Sequence, residues 1–285
     1  MPEGTRDEVV VHGTPVQLRH SAHSDRGAVR AFNEDSVLAA PPVWLVADGM
    51  GGHERGDLAS RAVIDTFAAL SGATELTPRD VVACVADANV AVRAVPGTGL
   101  SGTTLTGLVL VTVEGAGPHW MAVNIGDSRT YRWDGRSLVQ QSVDHSVTQE
   151  LIDDGVLTPE EALLPHVGRN VVTRALGAHD EVEADVWLLP MRGTQTFVLC
   201  SDGLTRELPD DEIARIIVFH EQQSARDPQG PSLAERLVRA AVAAGGHDNV
   251  SVVVVESRVT NEVGIAVDDT VDRALMVVED TRPRS

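Results

Sequence analysis

The chain is poor in cysteine and in positive charge, and it has no long hydrophobic run. Its only cysteines, Cys84 and Cys200, each sit in an apolar stretch (VVACVA and FVLCSD). Neither a disulfide framework nor a CxxC redox or zinc pattern is therefore present, and two buried thiols in a reducing compartment are expected. Lys and Arg number 23 against 42 Asp and Glu, a formal net charge of -19, which repels nucleic acid and anionic membrane and argues against both as partners. No apolar stretch approaches the roughly 20 residues that a membrane-spanning helix needs. Residues 1–15 (MPEGTRDEVVVHGTP) carry no basic-then-apolar leader, and a cytoplasmic location is expected. The P-loop pattern GxxxxGK[ST] and the zincin pattern HExxH are both missing, which excludes a Lys-closed phosphate nest and that class of zinc site.

At 285 residues the chain is long enough for one large hydrophobic core or two modest ones. Alternating or apolar runs predict strands at 43–47, 104–113, 119–125, 129–133, 195–200 and 249–256, with weaker candidates from residue 15 and at 36–40. Helical spacing is clearest over 56–70, where Leu58, Ala62, Val63, Thr66, Phe67 and Leu70 fall on one side that should face a sheet. A second helix fits 78–94, with Thr77 as N-cap and Pro78 in its first turn, and two more fit 209–219 and 231–244. Strand after strand over 103–140 indicates antiparallel sheet, and helices grouped apart from it argue against Rossmann-like alternation. The expected class is α+β, with helices packed outside antiparallel sheets. The stretch 144–170, mostly polar with short helical pieces, reads as an excursion over one end of the sheet. A single domain is expected over 1–256, followed by an acidic tail at 257–285, docked or loose.

Acidic residues recur where apolar strands meet turns: Asp48 in VADGMGG, Asp127 in NIGDSR, Asp202 in LCSDG, Asp248 in GGHDNVSV, and the pair Glu34–Asp35 in RAFNEDSVL. One strand-end aspartate alone is usually a turn or cap residue. A set of them is different, because hard divalent cations take oxygen ligands, and two ions about 3.5–4 Å apart need acids arriving from several strand ends. With no thiolate cluster, Mg²⁺ or Mn²⁺ fits better than zinc. The Gly49 carbonyl, uncovered by any side chain, could serve as a further oxygen ligand. Arg30, five residues before Asp35, offers a planar fork that matches phosphate oxygens.

These residues fall into an ordered series of motifs. Arg30-Ala31-Phe32-Asn33-Glu34-Asp35, Asp48-Gly49-Met50-Gly51-Gly52-His53, Ser101-Gly102-Thr103-Thr104 and Asn124-Ile125-Gly126-Asp127-Ser128-Arg129 are followed by Asp144-His145-Ser146, Thr173-Arg174-Ala175-Leu176-Gly177, Cys200-Ser201-Asp202-Gly203-Leu204 and Gly246-His247-Asp248-Asn249-Val250-Ser251. The series resembles the metal-dependent Ser/Thr protein phosphatases of the 2C type, in their bacterial form, over about Val16 to Glu256. The resemblance implies a four-layer α-β-β-α sandwich of two mostly antiparallel sheets with metals in a cleft between the sheet ends. It implies hydrolysis of phosphoserine and phosphothreonine in proteins by a water bridging two Mn²⁺ or Mg²⁺ ions. Asp48 would bridge both ions, Asp202 and Asp248 would hold the first, and the Gly49 carbonyl and Glu34 would serve the second. Asp35 would act directly or by orienting bound water, and Asp127 with Asp202 would hold a weaker third ion. Arg30 would take the substrate phosphate, and 144–170 resembles the flap that borders the cleft. The implied partners are phosphorylated proteins, among them a Ser/Thr kinase and its substrates, and a monomer is expected.

One position departs from part of that family. Some members have His directly after the Asp-Gly pair, where it protonates the leaving alcohol; here Met50 stands there, and a thioether cannot donate a proton. His53 is read as a structural or surface residue. Three rivals stay open. Cys200 to Arg206 (CSDGLTR) has the Cx₅R spacing of cysteine-dependent phosphatases, although Asp202 inside that loop would repel the phosphate and keep the thiol protonated. A phosphohydrolase of small esters would use the same ions. A non-catalytic phosphoprotein binder would keep the fold without the chemistry.

Overall fold

In the computed structural model, the described residues are 5–259 apart from 12–13, 52–54, 97–101, 163–167, 169–170, 225 and 228, with side chains from residue 16 onward. Numbered along the chain, β1 (Thr5–Val11), β2 (Thr14–Asp25), β12 (Val250–Val259), β11 (Thr194–Cys200), β8 (Arg129–Trp133) and β9 (Leu138–Gln140) lie side by side in one sheet. A second sheet runs β10 (Asp185–Pro190), β7 (Gly117–Ile125), β6 (Leu105–Val113), β4 (Val43–Met50) and β3 (Asp35–Ala40), with the two-residue β5 (Gly102–Thr103) beside β4. Every pairing among these strands is antiparallel.

Period-two alternation sorts the strand side chains into layers. On β4, Val43, Leu45 and Ala47 pack toward helices, while Trp44 and Val46 pack toward the other sheet. On β12, Val250, Val252 and Val254 face helices, and Val253 and Val255 face inward. The two inner faces share a core in which Trp44 meets Trp120 edge on and Trp120 meets Phe197 at a tilt, with ring centroids 5.6 and 5.5 Å apart. Helices α1 (Gly56–Ala68) and α2 (Pro78–Arg93) cover the second sheet. On the far side, α5 (Asp202–Glu207), α6 (Asp210–Ser224) and α7 (Leu233–Ala244) cover the first. The result is the expected α-β-β-α order.

Helix α2 starts as its sequence indicates: the Thr77 side chain accepts from Asp80 N–H while Asp80 Oδ2 accepts from Thr77 N–H at 2.8 Å, with Pro78 in the first turn. For α1 the expected face needs correction. Its buried residues are Gly56, Ala59, Ser60, Val63, Ile64 and Phe67, and Leu58 is 47% exposed. The Ser60 hydroxyl donates to the Glu34 carbonyl at 2.6 Å, and this polar anchor turns the apolar stripe away from Leu58. Both weak strand candidates are complete strands, β2 and β3. Strands β1, β9 and β10 and the six-residue α5 were not anticipated, since short or edge elements carry too little periodicity to stand out.

The polar excursion holds two short helices, α3 (Val147–Asp153) and α4 (Pro159–Ala162). Its base is closed by Val147 N–H to Val171 O and Thr173 N–H to His145 O, both 2.9 Å. Strand β12 continues to Val259, three residues past the expected end of the domain. The rest of the tail, His53 and Ser101 lie outside the described residues. Among the described residues no helix is long and apolar enough to cross a membrane.

Candidate active site

The acids meet where the chain leaves the ends of the two sheets. Strands β3 and β4 pair so that Asp35 and Asp48 stand opposite each other. The Asp48 backbone is held on both sides: its N–H donates to Thr104 Oγ1 at 3.0 Å, and its carbonyl accepts from Thr103 Oγ1 at 2.9 Å and Thr104 N–H at 2.9 Å. Gly49 follows, and a Cβ there would lie 2.0 Å from the Gly56 carbonyl oxygen and 2.6 Å from that of Glu34. Only glycine lets the start of α1 and the Glu34 loop converge on this turn.

From the other sheet, Asp202 opens α5 directly after β11, and Asp248 lies just before β12. Their approach rests on Gly203, where a Cβ would sit 1.9 Å from the Asn249 carbonyl oxygen. Asp127 occupies the turn from β7 to β8, where the chain passes from one sheet to the other. Glu34 N–H donates to Asn249 Oδ1 at 2.9 Å, so residues 215 positions apart are tied across the cleft. Arg30, exposed on the same loop, donates from Nη2 to Asp248 Oδ2 at 2.8 Å.

The electrostatics are those of acids without enough compensation. Burial, then the charges of Asp35, Asp202, Asp127 and Asp248, push the Asp48 carboxyl well above its usual range. Asp202 is driven the same way by burial and by Asp127, against the pull of Arg206. Burial raises Asp35 to about 6 even though the Ser251 and Ser201 hydroxyls hold its charged form, Ser201 Oγ donating to Asp35 Oδ2 at 2.8 Å. Burial also raises Asp127. Asp35 Oδ1, Asp202 Oδ1 and Glu34 Oε1 are buried with no hydrogen-bond partner. Orphaned carboxylate oxygens converging from two sheets suit hard divalent cations, which offset the burial and repulsion that otherwise oppose ionisation. Among the described residues, however, no three His, Cys, Asp or Glu side chains are already closed around one point.

Sequence reading missed several supporting residues. Arg206, four residues along α5 from Asp202, is ion-paired with it and places Nη1 2.6 Å from Asp248 Oδ2. Asn249 staples the Arg30 loop, and Ser201 orients Asp35. Their only sequence signal was adjacency to the acids, as in Ser201-Asp202 and Asp248-Asn249. Cys200 is fully buried among the helix-facing residues of the first sheet, where burial pushes its thiol up to about 12. A thiol so placed is not a nucleophile.

Residues 22–240 match the family model described as Protein phosphatase 2C. The chain belongs to the protein phosphatase 2C family. The matched stretch carries Arg30, Glu34, Asp35, Asp48, Gly49, Asp127 and Asp202 and ends before Asp248. Among its relatives, the serine/threonine protein phosphatase PstP of Mycobacterium tuberculosis is 38% identical over 245 residues, covering 84% of this chain and 45% of that protein. The chain thus spans less than half the length of this curated relative. The serine/threonine phosphatase stp of Listeria welshimeri is 32% identical over 246 residues, covering 82% of this chain and 93% of the relative. Among solved structures, the catalytic domain of PstP in complex with two manganese ions is similar at a TM-score of 0.70 and 36% identity, covering 85% of this chain and 99% of that one.

Proposed function

We propose that this chain is a protein phosphatase that hydrolyses phosphoserine and phosphothreonine in proteins with two Mn²⁺ or Mg²⁺ ions. The observation that carries this reading is the set of buried, mutually perturbed carboxylates with orphaned oxygens, on the framework of a family whose PstP member was solved with two manganese ions. Asp48, whose carboxyl is raised by burial and by the charges of Asp35, Asp202, Asp127 and Asp248, would be the acid shared between the two ions. Asp202 and Asp248 would hold the first ion, Glu34 and the Gly49 carbonyl would serve the second, Asp35 would act directly or by orienting bound water, and Asp127 with Asp202 would hold a weaker third. When bound, the ions supply Lewis acidity toward the phosphoryl oxygens and a water activated for in-line attack.

Arg30, at the exposed lip, receives the phosphate of the incoming side chain through its fork. Met50, a thioether, brings no proton to the leaving alcohol. The partners that suit this site are phosphoproteins, including a Ser/Thr kinase and its substrates, and the 144–170 segment borders their approach as a flap.

The test is phosphate release from a phosphothreonine peptide by metal-stripped protein, with Mn²⁺, Mg²⁺, Ca²⁺ or Zn²⁺ added back. Asp202→Asn, free phosphoserine and nucleotides are assayed beside it. Release restored by Mn²⁺ or Mg²⁺, lost at least a hundredfold in a folded Asp202→Asn and preferring the peptide is the expected result. Equal turnover of free phosphoserine would replace protein phosphatase with small-ester hydrolase. Phosphopeptide binding without release under any metal would replace it with a phosphoprotein binder.

A further inference from the structure

Arg206 is a guanidinium set among residues that are otherwise fit for cations. Its Nη2 is ion-paired with Asp202 Oδ2, and its Nη1 lies 2.6 Å from Asp248 Oδ2. Arg30 Nη2 donates to the same Asp248 oxygen at 2.8 Å, and the other, Oδ1, accepts Asn249 N–H at 2.9 Å. Both oxygens of Asp248 and one of Asp202 are thus engaged, although Glu34 Oε1, Asp35 Oδ1 and Asp202 Oδ1 have no partner.

The placement of Arg206 is supported from below. The next residue, Glu207, accepts through Oε1 from His247 N–H at 2.9 Å and lies 2.8 Å from His247 Nδ1. That contact pins α5 to the loop carrying Asp248, so the Arg206 fork straddles both acids. Its side chain is 33% exposed against 10% and 15% for Asp202 and Asp248, so solvent is open to the guanidinium when it leaves.

We propose that Arg206 is a built-in counter-ion that bridges Asp202 and Asp248 in the metal-free protein and is displaced when the first divalent cation enters. It thereby weakens metal affinity while stabilising the empty site. This inference rests on the metal reading above. A planar fork with permanent charge does this well, because it makes charge-assisted bonds to two carboxylates at once and cannot be neutralised by losing a proton. A cation and Arg206 cannot hold the same oxygens, so the ion must compete with an ion pair already present.

The experiment titrates Mn²⁺ alone into metal-stripped wild-type, Arg206→Gln and Arg206→Lys proteins by calorimetry, and follows thermal unfolding of each in EDTA and in excess Mn²⁺. Arg215→Gln is the charge control: Arg215 is 64% exposed on α6 and pairs only with Asp211 and Glu212 among the described residues. The expected result is that Arg206→Gln binds the first Mn²⁺ about tenfold more tightly, the scale of losing one or two partly exposed ion pairs. It also melts lower than wild type in EDTA and nearer to it in Mn²⁺. Arg206→Lys, which keeps the charge but not the two-point bridge, shifts the same way by less. Arg215→Gln shifts neither. Unchanged or weaker Mn²⁺ binding by folded Arg206→Gln and Arg206→Lys, or a gain no larger than that of Arg215→Gln, overturns the proposal. Failure of folded wild-type protein to bind Mn²⁺ overturns the metal reading itself and this inference with it, and the wild-type titration reports that separately.

Discussion

Replacing Asn249 with alanine should loosen the Arg30 loop and the acid set together. Asn249 is 5% exposed; its side-chain amide donates to the carbonyls of Arg26 and Phe32, each at 2.9 Å, and its Oδ1 accepts from Glu34 N–H at 2.9 Å. Three hydrogen bonds at a net ~1 kcal/mol each give about 3 kcal/mol. The Arg26 and Phe32 carbonyls sit in an exposed stretch and regain water, which brings the expected loss to about 2 kcal/mol. Asn89 supplies a matched control. It is 2% exposed, donates to His179 O and Asp180 O at 3.0 and 3.1 Å, and accepts from Gly177 N–H at 2.8 Å, yet none of its partners is an acid of the site. Urea unfolding of Asn249→Ala and Asn89→Ala should show similar losses. Phosphopeptide kcat/KM at saturating Mn²⁺ should fall ten- to roughly hundredfold only in Asn249→Ala, because Arg30 and Glu34 lose their positions. Equal kcat/KM in the two variants, or a stability loss in Asn249→Ala below about 0.5 kcal/mol, would refute the reasoning.

Two further outcomes follow from the buried groups. The unfolded chain ionises Asp35 near 3.8, while the folded, metal-free protein keeps it protonated until about 6. Stability from this group is therefore present below the lower value and lost as pH rises through the window, on the order of 2–3 kcal/mol in all. Metal-free Asp35→Asn, measured by unfolding between pH 4 and 7, should lack that part of the decline; a slope identical to wild type would count against the assigned burial. Cys200→Ala should keep metal-dependent phosphate release, since the thiol is pushed up to about 12 and faces the helix layer. Loss of turnover in that variant while it remains folded would restore cysteine chemistry as a contender.

Much of the architecture could be read from the chain because its strands obey simple periodicity. In VWLVA the alternation that sends Leu45 to one layer and Trp44 to the other is local, and so are the cap at Thr77 and the crowding of Asp beside glycine at strand ends. Charge balance and the scarcity of cysteine are likewise properties of the sequence itself. Local pattern failed where a long-range contact overrode it. Leu58 has helical spacing suited to burial, but the Ser60 bond to Glu34 and the fit of Gly56 against Gly49 set the rotation of α1. Edge strand β10, with Val186 and Leu188 exposed on one face, gave too mixed a pattern to be recognised.

The acid positions themselves were determined by sequence alone, since a carboxylate at the end of an apolar strand is visible as such. Which acids share a field was decided only by tertiary structure. Asp35 and Asp48 are brought together by the register of β3 and β4, and Asp202 and Asp248 by a glycine that lets α5 touch the backbone of Asn249. The same holds for Arg206. In sequence it is one basic residue in a short helix, and its role as counter-ion exists only because folding brings Asp248, 42 positions away, to its guanidinium. Electrostatic energy depends on distance through space and on exclusion of water, and neither is encoded in separation along the chain.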